Sequence, residues 1–188
     1  MSNRILYALS MAWRYRKCLQ TYRRNAALQA ANIFALDPLL LKEKGIKILI
    51  LDFDGVLAAH GETILTVKVS HWIEHCVQAF GEGKVFVLSN LATPARFTYF
   101  MKTFKGVELV FPMRKKPYPD GILQILQATR CLPQEAMVID DRLLTGILAA
   151  IIANTAGCYV KKPFTCFQKR PIQEAFFMIL RNLERLML

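Results

Sequence analysis

The stretch ILILDFDGVLA, residues 48–58, begins as an apolar run and ends in two aspartates separated by one residue. A short run this apolar and this rich in Ile and Leu predicts a β-strand buried on both faces, as in a parallel sheet. Asp52 and Asp54 follow the run directly, and two carboxylates this close disfavour each other's ionisation. Such a pair is useful where a cation or a reaction needs both carboxylates.

Strands and helices alternate along the chain after this point. Helices are predicted near residues 68–80, 93–104, 119–130 and 142–153, and each leads to a short strand, in order KVFVLSN, VELVF, AMVIDD and GCYVK. Strands alternating with helices of this length predict βαβ units, with helices on both faces of a parallel sheet. We therefore expect an α/β fold, a three-layer Rossmann-like sandwich on a mostly parallel sheet of five strands.

Polar side chains follow four of these predicted strands. They are Asp52 and Asp54, Ser89 and Asn90, Lys116 in RKKPYP, and Asp140 and Asp141. Because ligands of open parallel sheets bind beyond the carboxyl ends of the strands, we expect these side chains to meet. Carboxylates, a hydroxyl and a fixed cation suit phosphoryl transfer through a covalent aspartyl-phosphate, with Mg²⁺ as the metal that prefers such oxygen ligands.

In this order the motifs DxDGV, Ser-Asn, Lys-Pro and Asp-Asp resemble those of the haloacid dehalogenase (HAD) superfamily, over roughly residues 33–165. The resemblance implies that Asp52 is the nucleophile and that Asp54 is the general acid and base. It also implies that Ser89 binds the phosphoryl group and that Lys116 binds and stabilises it. Asn90 is expected to help shape the phosphate loop.

The same resemblance implies a Mg²⁺ site. Its ligands would be Asp52, the backbone carbonyl of Asp54, and Asp141. Asp140 is the alternative to Asp141 as the third ligand.

The intervals between the motifs are short. Asp54 and Ser89 are separated by 34 residues, and Ser89 and Lys116 by 26, and each interval already contains a helix and a strand. Neither interval can hold a cap domain, so we expect an open site. An open site accepts a phosphate carried by something large, whereas small metabolites benefit from a lid.

A closer resemblance narrows the substrate. NIFALDPLLLKEKGIKILILDFDGVL, KKP and DDRLLTGILAA are similar to the phosphatidylglycerophosphate phosphatases of the mitochondrial and bacterial type. That family implies removal of the terminal phosphate to give phosphatidylglycerol, the precursor of cardiolipin. Gly55-Val56 replaces the Asn-Thr of the family, and Gly146 replaces the last Asp of its GDxLLTD pattern. Asp140 is the candidate to supply that carboxylate.

The N-terminal segment is basic. Residues 1–36 contain six Lys and Arg and no Asp or Glu, and the whole chain has a formal net charge of +11. We predict an amphipathic helix over residues 3–30, within a segment 1–32 that precedes a phosphatase domain 33–188. Such a segment suits an anionic membrane surface, and Trp13 and Tyr15 suit its interface. A solvated helix face and a targeting segment are the alternatives.

Three functions are compatible with these features. The first is a peripheral lipid phosphatase on the cytoplasmic face of a membrane, or in the mitochondrial matrix or inner membrane. The second is a phosphatase of soluble or polynucleotide monoesters, and the third is a catalytically weak, basic module that binds RNA or ribosomes. The absence of Gly-aromatic RNA motifs argues against nucleic acid. The sequence contains no uncharged apolar run of about 18 residues, so no membrane span is predicted. The oligomeric state stays open.

Two other features have simpler explanations. His71 and His75 lie one helical turn apart in HWIEH, but no third ligand is near, which favours an ordinary helix face. The closing segment IQEAFFMILRNLERLML predicts an amphipathic helix. Its apolar residues could form core, a dimer face or a second membrane contact, with core or dimer packing favoured.

Overall fold

A single sheet of six strands forms the centre of the protein, in a computed structural model that describes residues 2–91 and 93–188. The strands are β1 (Gln29–Ala30), β2 (Ile48–Leu51), β3 (Val85–Leu88), β4 (Val107–Val110), β5 (Ala136–Asp140) and β6 (Ala156–Val160). Their order in the sheet is β1-β6-β5-β2-β3-β4, and every neighbouring pair is parallel. The carboxyl ends of all six strands therefore lie at one edge.

Eight α-helices surround the sheet in the described residues. They are α1 (Ser2–Arg14), α2 (Arg16–Arg24), α3 (Pro38–Glu43), α4 (Val67–Phe80), α5 (Pro94–Thr103), α6 (Asp120–Thr129), α7 (Leu148–Ile152) and α8 (Pro171–Met187). The helix predicted over residues 142–153 begins as a π-helical turn, Leu143–Ile147, and continues as α7.

The two faces of the sheet bury different residues of the same strands. Leu49 and Leu51 of β2 belong to the core that includes α3, α4 and α5, whereas Ile48 and Ile50 belong to the core that includes α6 and α7. This arrangement explains the continuous apolar run at residues 48–51, because both alternating sets of side chains are buried. The predicted three-layer α/β fold is confirmed.

The number of strands differs from the prediction of five, because β1 lies inside the segment predicted as one helix over residues 3–30. The helical segment breaks at Tyr15 and ends at Arg24. The Gln29 side chain then donates hydrogen bonds of 2.7 Å to the carbonyl groups of Tyr22 and Arg23. A two-residue strand is too short to show any periodicity, so sequence patterns do not predict it. The division of the chain at residue 33 stays a prediction.

The N-terminal helices pack near the carboxyl edge of the sheet. Leu19 of α2 is fully buried against Leu143, Ile147 and Leu148 of the π-helical turn and α7. The ring of Tyr7 in α1 stacks on that of Tyr118 at 4.1 Å, two residues after Lys116. The segment therefore reaches the loop that carries a predicted site residue. Most of its positive charge lies on α2. Among the described residues, no helix combines the length and apolar character needed to cross a membrane.

Candidate active site

Lys116 lies between two aspartates at the carboxyl edge of the sheet. Its Nζ donates to Asp52 Oδ1 at 2.8 Å and to Asp140 Oδ2 at 2.5 Å, and all three side chains are buried. Burial lowers the pKa of Lys116, but the carboxylates of Asp140 and Asp52 outweigh it and raise that pKa above its ordinary value. Burial raises the pKa of Asp52 well above its usual range, although Lys116 opposes the shift. The lysine is therefore a fixed cation next to the predicted nucleophile.

Ser89 and Asn90 follow β3, and Asn90 binds the backbone of Lys116. The Asn90 side chain accepts from the backbone N–H of Lys116 at 2.7 Å and donates to its carbonyl at 3.3 Å. Ser89 Oγ is buried and accepts from the backbone N–H of Leu91 at 3.1 Å. A cleft of about 210 Å³ adjoins these residues and is lined by Ser89, Asn90, Leu91, Phe111, Pro112 and Lys115. Asn90 thus orients the loop of Lys116.

Asp141 joins the same cluster. One carboxylate oxygen from each of Asp52, Asp140 and Asp141 can be chosen so that all three lie within 4.8 Å of one another. Asp141 Oδ2 accepts from Arg181 Nε at 2.5 Å, and burial raises the pKa of Asp141 to about 6 against the opposing effect of Arg181. A Cβ on Gly55 would lie 2.6 Å from Asp141 Oδ2. The glycine of DxDGV therefore makes room for this carboxylate.

The cluster fits a divalent cation. Its donors are carboxylate oxygens, which Mg²⁺ prefers, and Asp141 Oδ1 is buried without a hydrogen-bond partner. Among the described residues, the three carboxylates form ion pairs with two cations, Lys116 and Arg181, while nearby Arg142 pairs with Glu184. One negative charge is left over when all are ionised, and a buried uncompensated charge is costly. Both Asp140 and Asp141 belong to this cluster, so the geometry does not select one of them as the third ligand.

The Asp54 side chain points to a different partner, which sequence reasoning did not identify. Arg96 of α5 is 1% exposed and donates to both carboxylate oxygens of Asp54, at 2.8 and 2.7 Å. It also donates to the Glu62 carbonyl, lies over the Phe53 ring and comes within 3.5 Å of Ser89 Oγ. Arg96 follows Asp54 by 42 residues and belongs to no motif, so nothing in the sequence signals this pair.

A second set of unpredicted residues comes from α8. Glu174 accepts from the backbone N–H of His60 at 3.2 Å, and Glu184 accepts from that of Leu143 at 2.9 Å. Arg181 lies between these glutamates on the helix and pairs with Asp141. One helix thus contacts the loop after β2 and the loop after β5. His71 and His75, by contrast, are exposed on α4.

The Asp140 carboxylate lies against Gly146, the position at which the GDxLLTD pattern has its last Asp. A Cβ on Gly146 would lie 1.8 Å from Asp140 Oδ2. The Asp140 carboxylate therefore occupies space that any side chain at position 146 would need. From this place it neutralises Lys116. In DDRLLTG the first residue, Asp140, has a carboxylate, and the last residue, Gly146, has no side chain.

The parallel α/β fold brings the polar residues together at the carboxyl edge of the sheet. The chain belongs to the mitochondrial PGP phosphatase family, whose family model matches residues 26–165. It is therefore a phosphatase, a phosphoric monoester hydrolase. The matched range includes all the predicted site residues and excludes α1 and α8.

Two solved structures were found to be similar, and the first of them shares the fold. One crystal structure is 12% identical, with a TM-score of 0.51 over 75% of this chain and 82% of its own. The β-phosphoglucomutase of Clostridium difficile is 13% identical, with a TM-score of 0.39 over 73% of this chain and 98% of its own. Comparison with the sequences of curated proteins gives no match.

Because Asp140 closely approaches Gly146, substitutions at these two positions should have strongly non-additive effects on the free energy of unfolding. Gly146→Asp should lower the free energy of unfolding by about 3 kcal/mol, because it forces two carboxylates into one space. Adding Asp140→Gly should recover at least about half of this loss, because the new aspartate then takes the vacated space. Urea unfolding of the two single variants and the double variant measures the coupling. Strictly additive effects would contradict the exchange of carboxylates between the two positions.

Proposed function

We propose that this protein removes the terminal phosphate of phosphatidylglycerophosphate at a membrane surface, in a Mg²⁺-dependent reaction with Asp52 as the nucleophile. The observation that carries the proposal is the buried cluster in which Lys116 bridges Asp52 and Asp140 and Asp141 completes a set of oxygen donors. Membership of the PGP phosphatase family supports the substrate.

Each residue of the cluster has a role in the proposed reaction. A carboxylate oxygen of Asp52 attacks phosphorus while the bond from phosphorus to the glycerol oxygen breaks, giving an aspartyl-phosphate. Lys116 and Ser89 bind the non-bridging oxygens, where charge is concentrated during transfer. Asp52, the backbone carbonyl of Asp54, and either Asp141 or Asp140 would hold Mg²⁺, which would neutralise the negative charges of the nucleophile and the phosphate.

Asp54 handles the protons in this proposal. It gives a proton to the leaving glycerol oxygen and later takes one from the water that hydrolyses the aspartyl-phosphate, so phosphate is released and Asp52 is restored. In the structure both Asp54 oxygens accept from Arg96. Asp54 must therefore exchange this partner for the substrate during the cycle. Arg96 is a positioning residue that orients the carboxylate between turnovers.

The N-terminal helix suits a substrate that stays in a membrane. Exposed apolar residues of α1 form a stripe, Ile5, Leu6, Leu9 and Trp13. The basic residues of α2 follow it, and the stacking of Tyr7 on Tyr118 ties α1 to the loop of Lys116. Contact of this stripe with anionic lipid would bring the site to the headgroup. We propose the cytoplasmic face of a membrane, with the mitochondrial matrix or inner membrane as the alternative.

The assignment of Asp52 predicts the effect of an isosteric substitution. Asp52→Asn should lower phosphate release from phosphatidylglycerophosphate in mixed micelles by about a thousandfold or more, because an amide is a poor nucleophile. Asp37→Asn is the matched control, since Asp37 belongs to none of the ion pairs of the cluster, caps α3, and Asn caps equally well. Turnover by Asp52→Asn that equals the wild type would exclude Asp52 as the nucleophile. Hydrolysis of small soluble esters without hydrolysis of the lipid would instead contradict the lipid substrate.

The raised pKa of Asp141 predicts how stability depends on pH and Mg²⁺. Since its pKa is about 6 folded and about 3.9 in an unfolded chain, the folded state binds more protons between these values. This group's contribution to the free energy of unfolding therefore falls as pH rises from about 4 through 6, by on the order of 3 kcal/mol. Mg²⁺ should raise the melting temperature at pH 7.5 and much less at pH 5.

Asp141→Asn is the control for this measurement. It should abolish most of the Mg²⁺-dependent rise in melting temperature at pH 7.5, as followed by differential scanning fluorimetry. Equal Mg²⁺ effects in the wild type and the variant would show that Asp141 is not a ligand.

The stripe on α1 predicts membrane binding that depends on its apolar side chains. Leu6→Glu with Trp13→Glu should reduce cosedimentation with vesicles containing anionic lipid by about tenfold, because two apolar side chains become charged. The melting temperature should stay unchanged, since both residues are more than 60% exposed. Unchanged cosedimentation would rule out this stripe as a membrane contact.

A further inference from the structure

The C-terminal helix α8 is amphipathic, but it buries its charged face and exposes its apolar face. Its buried face carries the charged residues Glu174, Arg181 and Glu184, which are 0%, 4% and 5% exposed. The opposite face carries a row of apolar side chains spaced by four and three residues, Ile172, Phe176, Ile179, Leu183 and Leu186. These five residues, called here the outer stripe, are 48–86% exposed. A helix that packs on a core normally buries its apolar face and exposes its charges.

The contacts of the buried face explain this reversal. Glu174 accepts from a backbone N–H of the loop after β2, and Glu184 accepts from that of Leu143 at the start of the π-helical turn. Arg181 pairs with Asp141. The helix is therefore fixed across the carboxyl edge of the sheet by ion pairs and hydrogen bonds to the site itself. Its other face must point away from the sheet.

The outer stripe has no covering in the part of the chain that the structure describes. Five large apolar side chains in one row along a helix are more than the scattered exposed residues of an ordinary surface. Both glutamates of α8 are turned inward, so no acidic residue of this helix accompanies the stripe on its exposed side. The outer stripe thus has the features of a contact surface.

The charges around the stripe indicate the partner. Arg170 and Lys169 are exposed directly before the helix, and Lys169 pairs with Glu62 at 3.1 Å. Near its other end Arg185 donates to the carbonyl of Lys161, which is itself exposed. In an anionic bilayer, basic residues at both ends of the stripe would bind the headgroups, and the apolar stripe would contact the acyl chains. A second copy of the chain would bring like charges together.

We propose that α8 is an interfacial helix whose outer stripe docks into an anionic lipid bilayer. At about 1.5 Å per residue its 17 residues form a helix of roughly 25 Å, which lies in the interface plane. The inference deepens the proposed function, since it rests on a lipid substrate. Because the inner face of the same helix binds Asp141, docking would hold the carboxyl edge of the sheet and its aspartates next to the headgroups.

Partition to lipid vesicles tests this proposal. The experiment uses the full chain with α1 unchanged and vesicles of phosphatidylcholine with or without phosphatidylglycerol. Ile179→Glu with Leu183→Glu should reduce cosedimentation with the anionic vesicles by about tenfold. Leu40→Glu with Leu132→Glu adds the same charge at residues of similar exposure, in α3 and directly before the 3₁₀ turn that leads to β5. This control should bind as the wild type does.

Each outcome decides one point. Equal binding by the outer-stripe variant and the wild type overturns the proposal, as does a wild-type protein that binds neither kind of vesicle. Light scattering of both proteins without lipid shows whether the variant changes from dimer to monomer. If the variant becomes monomeric but still binds vesicles, the outer stripe is a dimer face, and this result also overturns the proposal. Vesicle binding that depends on the stripe, in a protein that releases no phosphate from the lipid, supports the docking surface and contradicts the proposed function.

Discussion

The ion pairs of Lys116 with Asp52 and Asp140 are the constraint on which the site depends. Burying an ionised group is costly unless a partner of opposite charge is held at short distance. The lysine has two such partners, and the Asn90 side chain fixes the backbone that carries it. Strand ends that are far apart along the chain must therefore stay in register at one edge of the sheet. The parallel pairing of β2 with β3 and β5 provides that register.

The helix α8 completes this arrangement from outside the range matched by the family. Arg181 supplies a positive charge to Asp141, and the two glutamates of the helix bind backbone N–H groups of the adjacent loops. The charged groups of α8 are thus used at the site, and its apolar side chains remain on the surface. A helix that serves a buried ionic site in this way cannot also bury its apolar face. The unusual surface of α8 and the composition of the site have the same cause.

Small residues at two positions set how closely the aspartates can approach. Gly55 leaves room for Asp141, and Gly146 leaves room for Asp140. At both positions a Cβ would fall within 3 Å of a carboxylate oxygen. The space beside Gly146, where the GDxLLTD pattern has an Asp, is thus taken by the Asp140 carboxylate.

The sequence by itself determined the α/β class, the parallel sheet, most element positions, and the strand ends that carry polar groups. These features depend on local periodicity and on the rule that parallel strands share a carboxyl edge, and both can be read from one chain. Only the tertiary structure decided that Asp54 faces Arg96, that Arg181 faces Asp141, and that β1 joins the sheet. Each of these contacts joins residues distant along the chain, and no local pattern records which buried charge meets which. The outward direction of the apolar face of α8 was decided in the same way, by ion pairs that become visible only when the loops of the site are in place.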